Sequence, residues 1–149
     1  MELYRLNKKR YAGDLSGYGA SLGGGRWNSK GTALLYTAQS RSLALVESLV
    51  HLSTVNNLED YQMMVIFVPD DASVIYYDRH RLPVGWEKAP SLTQTIGDQW
   101  ATSADSLLLR VPSAVVINEY NFLINPRHRD AGKVQLVGNE SFIFDTRLK

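Results

Sequence analysis

Three glycines in succession, Gly23-Gly24-Gly25, stand directly before Arg26-Trp27-Asn28. Glycines let a backbone come close to a ligand, and an arginine at that point can grip a phosphate with its planar fork. The same residues also suit a flexible surface loop with an incidental arginine, and local sequence leaves both readings open. The preceding run, Gly17-Tyr18-Gly19-Ala20-Ser21-Leu22-Gly23, looks like a dinucleotide fingerprint but fails as one. Its spacing is one residue too long, and a strand follows where a helix is required. Ser29-Lys30-Gly31-Thr32 has the wrong order for a P-loop.

Glu47, on a helix with one polar seam, could be a catalytic carboxylate. As a local pattern it reads more readily as the solvent-facing charge of an amphipathic helix, which is the commoner case. His51 lies one turn further on, at pairing distance on the same seam. No second and third ligand stands at metal spacing, so no metal is expected. Ser113 follows Pro112 between two apolar segments, without the Gly-x-Ser-x-Gly elbow of a hydrolase nucleophile. Tyr36 reads locally as a half-buried strand aromatic, and Trp100 as a core residue.

The elements that must position these residues follow from periodicity and punctuation. Seven of the eleven glycines fall between Gly13 and Gly31, which predicts a long irregular loop. Short strands are predicted at residues 2–6, 32–37, 61–68 and 74–77, then at 107–111, 114–117, 134–137 and 141–144. Ser40 caps a helix running to about Leu52, with Leu43, Val46, Leu49 and Val50 on its apolar side. Residues 82–90 carry two prolines and a glycine and read as a loop. Ser91 and Gln94 have capping-box spacing and open a second helix to about Ser103. Mixed elements with strands predominating late argue for α+β with a mainly antiparallel sheet.

Composition bounds the function. The 149 residues suit one domain, residues 1–149, able to bury a core without metals or disulfides. Cysteine is absent, which excludes a disulfide framework and a thiolate metal site. Lys plus Arg number 16 against 15 for Asp plus Glu, so nothing in the charge favours nucleic acid as a direct partner. No signal peptide or membrane-spanning run is visible, and the expectation is a cytoplasmic protein with no membrane partner.

Taken in order, these residues resemble the RES domain. The resemblance runs through Gly23-Gly24-Gly25-Arg26-Trp27-Asn28, Leu35-Tyr36-Thr37-Ala38 and Leu45-Val46-Glu47-Ser48-Leu49-Val50-His51. It continues through Gly97-Asp98-Gln99-Trp100, Val111-Pro112-Ser113-Ala114-Val115 and Asn121-Phe122-Leu123-Ile124-Asn125-Pro126. The family's naming arginine, glutamate and serine fall on Arg26, Glu47 and Ser113. One departure stands out: Arg127-His128-Arg129 follows Asn-Pro where the family often has His-Pro.

The resemblance implies a fold like that of ADP-ribosyltransferase toxins, a compact α+β domain with two small, mainly antiparallel sheets and flanking helices around an NAD+ cleft. It implies the toxin of a toxin–antitoxin pair, breaking the nicotinamide–ribose bond of NAD+ by hydrolysis or phosphorolysis, with NAD+ as substrate and no cofactor. ADP-ribosylation of one protein target and a non-catalytic binding module are the alternatives. Glu47 would hydrogen-bond the ribose and stabilise its developing positive charge. Arg26 would hold the phosphates or adjoining ribose, Tyr36 would pack on nicotinamide, and Ser113 would orient the nicotinamide ribose. Arg5, Gly25, Asn28 and Asn125 complete the expected NAD+-binding set. The implied partner is a helix-turn-helix antitoxin that occludes the cleft, so that DNA is reached only through it.

Overall fold

Strand β1, Glu2–Lys8, runs through the middle of the sheet because Leu3 and Leu6 must both be buried. The computed structural model describes residues 1–52 and 60–148. After β1 come α1 (Tyr18–Gly23), β2 (Leu35–Ala38), α2 (Arg41–Leu49), β3 (Tyr61–Phe67) and β4 (Val74–Tyr76). Then follow α3 (Pro90–Ser103), β5 (Leu108–Pro112), β6 (Tyr120–Ile124) and β7 (Gln135–Phe142). Single 3₁₀ turns interrupt the connections, among them Arg79–Arg81 and Trp86–Lys88.

Among the described residues the strands form one seven-stranded sheet in the order β4-β5-β6-β2-β1-β3-β7. Every neighbouring pair is antiparallel except β4 and β5, which run parallel. This corrects the expectation of two small sheets. The reason lies in one seam. β1 and β3 pair over seven positions, and β2 and β6 over four, but β1 meets β2 only at Tyr4 opposite Ala38. Two well-knit halves are thus joined through a single paired position.

Each half carries its own helix. Ser40 caps α2 as expected, its Oγ accepting from the Leu43 amide at 3.1 Å. Leu43 and Ala44 then pack with Leu6, Ala38, Met63 and Phe144 on one face of β1 and β3. The opposite face takes the alternate residues Met64 and Ile66, which cluster with Leu3, Leu35 and Leu108. α3 covers the other half, where Trp100 joins Trp27, Trp86, Leu109, Val111 and Leu123. No helix of the described residues is long and apolar enough to cross a membrane.

β2 is Leu35–Ala38 where residues 32–37 were expected and α2 ends at Leu49 where about Leu52 was expected; four further differences have local reasons. The glycine-rich segment contains α1, six residues long, closed by the Gly24 amide donating to the Ala20 carbonyl. α3 starts at Pro90, which is preset for a first helical turn, and Ser91 and Gln94 form no capping box. Residues 134–137 and 141–144 belong largely to one strand, β7. Residues 114–117 are a turn, and the strand lies at Tyr120–Ile124 instead. There the Ser113 Oγ accepts from the amides of Val115 and Val116, at 3.0 and 2.9 Å, taking donors that a ladder would need.

Candidate active site

A cleft of about 870 Å³, within the range of small-molecule sites, is lined from both half-sheets, by residues of β1 and of β2. Arg5 and Tyr36 stand on its floor, Gly25 and Arg26 on one wall, and Glu47 and Asn121 on another.

Arg5 bridges the seam. Where β1 and β2 stop pairing, its Nη1 donates to the Tyr36 carbonyl at 2.9 Å, a side chain doing the task of a ladder bond. Its Nε is buried without a partner. Burial pushes the guanidinium below its ordinary range, against which Asp14 and Tyr36 act in the other direction.

The glycine loop is held from inside by Asn28. Its Nδ2 donates to the carbonyls of Ala20 and Thr32, both at 2.9 Å, and its Oδ1 accepts from the Tyr36 hydroxyl at 2.6 Å. That hydroxyl also accepts from the Trp27 amide at 3.0 Å. Burial raises the Tyr36 phenol to about 12, although the Trp27 amide pulls the other way. Gly25 is fixed by this arrangement. A Cβ there would stand 2.7 Å from the Tyr36 hydroxyl and 2.9 Å from Asn28 Oδ1. Asp98 on α3 secures the loop's far side, accepting from the Ser29 amide at 3.0 Å and its hydroxyl at 2.5 Å.

Arg26 lies against Trp86, 5.8 Å from the ring centre, and its Nη1 donates to the Glu87 carbonyl at 2.8 Å. Glu87's carboxyl is held below its usual range, first by its own backbone amide and further by Arg79 and Arg26. On the opposite wall Glu47 Oε1 accepts twice, from Ser113 Oγ at 2.6 Å and from Asn121 Nδ2 at 2.7 Å. Glu47 Oε2 receives no hydrogen bond among the described residues. A carboxylate fixed on one oxygen, facing a cleft rimmed by a guanidinium and a glycine loop, can stabilise positive charge on a ligand while the rim holds its anionic part.

The model of the RES domain matches residues 2–145 of the chain. The protein belongs to the RES family. Its sequence is 41% identical, over 153 aligned positions spanning the whole of both chains, to "Toxin Res" of Yersinia enterocolitica. It is also 41% identical to the "Prs ADP-ribosylating toxin" of Sphingobium sp. over 141 positions, covering 92% of this chain and 88% of that one. The fold matches a chain in the crystal structure of the M. tuberculosis MbcT–MbcA toxin–antitoxin complex, with a TM-score of 0.77. That match covers 95% of this chain and 83% of the other at 20% identity, so it speaks to the fold.

In this RES domain the expected residues separate into two groups. Arg5, Gly25, Arg26, Tyr36 and Glu47 line the cleft. Ser113 and Asn28 are fully buried behind it, and their polar atoms are engaged by protein. Asn28 therefore shapes the loop and is not a lining group. Asn125 likewise stands outside the lining. It is 1% exposed, donates to the Ala101 carbonyl at 3.1 Å and accepts from the Arg127 amide at 3.0 Å, closing the turn after β6 outside the cleft lining. Sequence reasoning missed Asn121 as a site residue, although it stood in a quoted motif. It also missed Gln94, whose Nε2 donates to the Gly25 carbonyl at 3.0 Å. Its capping-box spacing pointed to a different partner.

Proposed function

We propose that this RES domain cleaves the nicotinamide–ribose bond of NAD+ as the cytoplasmic toxin of a toxin–antitoxin pair. The observation that carries the reading is the Glu47 carboxylate, held on Oε1 by Ser113 and Asn121, with Oε2 left for the cleft.

Breaking that bond passes through an oxocarbenium-like state, positive at the anomeric carbon. The C–N electron pair departs with nicotinamide, which leaves as a neutral molecule and needs no general acid. Glu47 stabilises the cation that remains. Oxygen of water or of inorganic phosphate then bonds to that carbon, and the attacking water gives up its proton to solvent or to Glu47. Arg26 grips the dinucleotide by its phosphates or the adjoining ribose, and the glycine loop, kept free of side chain at Gly25, lets the ligand approach the backbone. Ser113 acts here through Glu47, since its hydroxyl is already engaged.

A second reading has its own support. One relative at 41% identity is named for ADP-ribosylating Prs, and transfer to a protein side chain needs the same cation with a different nucleophile. Either activity unrestrained would harm the cell that makes it. The partner is a helix-turn-helix antitoxin that covers the cleft and supplies the contact with DNA.

The test is incubation of purified protein with NAD+, with and without inorganic phosphate, with products separated by mass. Free nicotinamide with ADP-ribose or its 1-phosphate supports cleavage. Glu47→Gln should release none while staying folded, because the amide oxygen still accepts from Ser113 and Asn121. Turnover by folded Glu47→Gln near the wild-type level rejects the mechanism. NAD+ left intact unless a protein acceptor is added favours the second reading.

A further inference from the structure

Arg79 lies on a 3₁₀ turn, outside the cleft lining, and no motif of the sequence singles it out. Its guanidinium nevertheless makes three contacts at once. Nη1 pairs with Glu87 Oε1 at 2.9 Å, Nη2 donates to the Ser113 carbonyl at 2.9 Å, and Cζ lies 5.4 Å from the centre of the Trp86 ring. Each contact leads to one wall of the cleft. Glu87 holds Arg26 through its carbonyl, and Trp86 is the ring against which Arg26 also lies. Ser113 holds Glu47 through its hydroxyl. Glu87 and Ser113 are far apart in the chain, and the Arg79 side chain contacts both.

We propose that Arg79 is a positioning residue that fixes the spacing between the Arg26 wall and the Glu47–Ser113 wall of the cleft. It touches neither reacting atoms nor substrate. A planar fork meets this task because it reaches two acceptors in a fixed geometry while its charge lies over an indole. A lysine ammonium has one nitrogen and no plane, so it retains the charge and loses the bridge.

The inference rests on the proposed NAD+ chemistry for its kinetic consequence but not for its geometry, and two measurements keep them apart. The first is NAD+ turnover by wild type, Arg79→Lys and Arg79→Ala, each at temperatures well below its melting transition. Both variants should lose about 10- to 100-fold in kcat, the scale of a small misplacement in a catalytic site. Added guanidinium ion should restore part of the turnover of Arg79→Ala, and ammonium should not. The second is hydrogen exchange in Arg79→Lys, which involves no substrate. Protection should fall at the Val115 and Val116 amides, which donate to Ser113 Oγ, and at the Trp27 amide, while β1 and β3 keep theirs. Wild-type kcat in Arg79→Lys, or unchanged exchange at those three amides, overturns the proposal. If wild type leaves NAD+ untouched, the NAD+ reading fails and the exchange result alone decides whether Arg79 spaces the walls.

Discussion

Asn121 and Glu47 meet across the cleft wall, Nδ2 to Oε1 at 2.7 Å, on the same oxygen that Ser113 holds. They come from different elements, Glu47 from α2 and Asn121 from β6, and they are 74 residues apart. β6 pairs with β2 at Asn121 opposite Ala38, which brings this asparagine beside the helix that follows β2. The carboxylate is thus aimed by two neutral donors, and no cation compensates it within that contact.

Asn121→Asp should be more damaging than Asn121→Ala. Alanine removes one donor and leaves Ser113 in place, for a loss of about tenfold in turnover, the scale of one hydrogen bond to a charged group. Aspartate puts a second carboxylate against Glu47, and two such groups at hydrogen-bond distance cannot both ionise. Turnover at neutral pH should therefore fall further, and the acid limb of the pH–rate profile should move to higher pH. Equal activity of the two variants across the profile would show that Asn121 does not address Glu47.

Much of this arrangement was legible in the sequence, and the remainder was hidden for identifiable reasons. The Ser40 cap and the strand at Tyr61 are local signals, and local interactions decide them; on α2 Leu43 is buried as expected, whereas Val50, expected on the apolar side, is 51% exposed. Arg26, Tyr36 and Glu47 came from the order of motifs, which carries long-range information that periodicity lacks. The turn at 114–117 was read as a strand because its residues are apolar, while the deciding event is a serine hydroxyl capturing two amides. α1 was hidden because glycines disfavour a helix, yet Asn28 supplies the Ala20 carbonyl with a donor from eight residues away. Asn28, Asp98 and Arg79 act through tertiary hydrogen bonds, for which no spacing rule exists.

Alkali provides a test of the floor of the cleft. The Tyr36 phenol is raised to about 12 by burial, against about 10 for an ordinary tyrosine. Its folded pKa therefore exceeds the unfolded one, so the folded state keeps a proton that the unfolded chain gives up. That contribution to stability is complete below pH 10 and is lost as pH rises toward 12, on the order of 2 kcal/mol in total. Denaturant unfolding at pH 9 and at pH 11.5 should show a steeper loss for wild type than for Tyr36→Phe. Parallel losses in the two proteins would mean that the phenol is freely titrating.

Two glycines should separate site geometry from folding. Gly25→Ala forces a methyl against the Tyr36 hydroxyl and Asn28 Oδ1, side-chain atoms that can shift, so the cost should be about 1–3 kcal/mol. The protein should fold, with the Tyr36–Asn28 bond displaced and NAD+ affinity lowered. Gly97 is a harder case. A Cβ at that position would fall 1.6 Å from the Trp27 carbonyl, a backbone atom of the loop that α3 supports. Gly97→Ala should give little soluble folded protein, and thermal melts of both variants decide the matter. A Gly97→Ala protein as stable as Gly25→Ala would mean that the loop and α3 can separate without loss.

Arg26 offers the sharpest contrast between charge and shape. Its guanidinium lies 5.8 Å from the Trp86 ring centre and donates to the Glu87 carbonyl at 2.8 Å, so part of its fork is used to hold its own position. Arg26 also lines the cleft, beside Gly25 of the glycine loop. Lysine in this position retains the positive charge and some of the stem's packing. It loses the plane that stacks on Trp86 and the two-pronged grip on a phosphate. On the proposed reading, in which Arg26 meets the phosphates and the nicotinamide–ribose bond is the one broken, binding should suffer more than chemistry. KM for NAD+ in Arg26→Lys should rise by roughly 10- to 100-fold, equivalent to about 1.4–2.8 kcal/mol, with a smaller change in kcat. Calorimetric titration of NAD+ into the inactive Glu47→Gln background, with and without Arg26→Lys, measures the binding component alone. Unchanged affinity would place Arg26 outside the ligand's reach and leave it as a support for the Trp86–Glu87 turn.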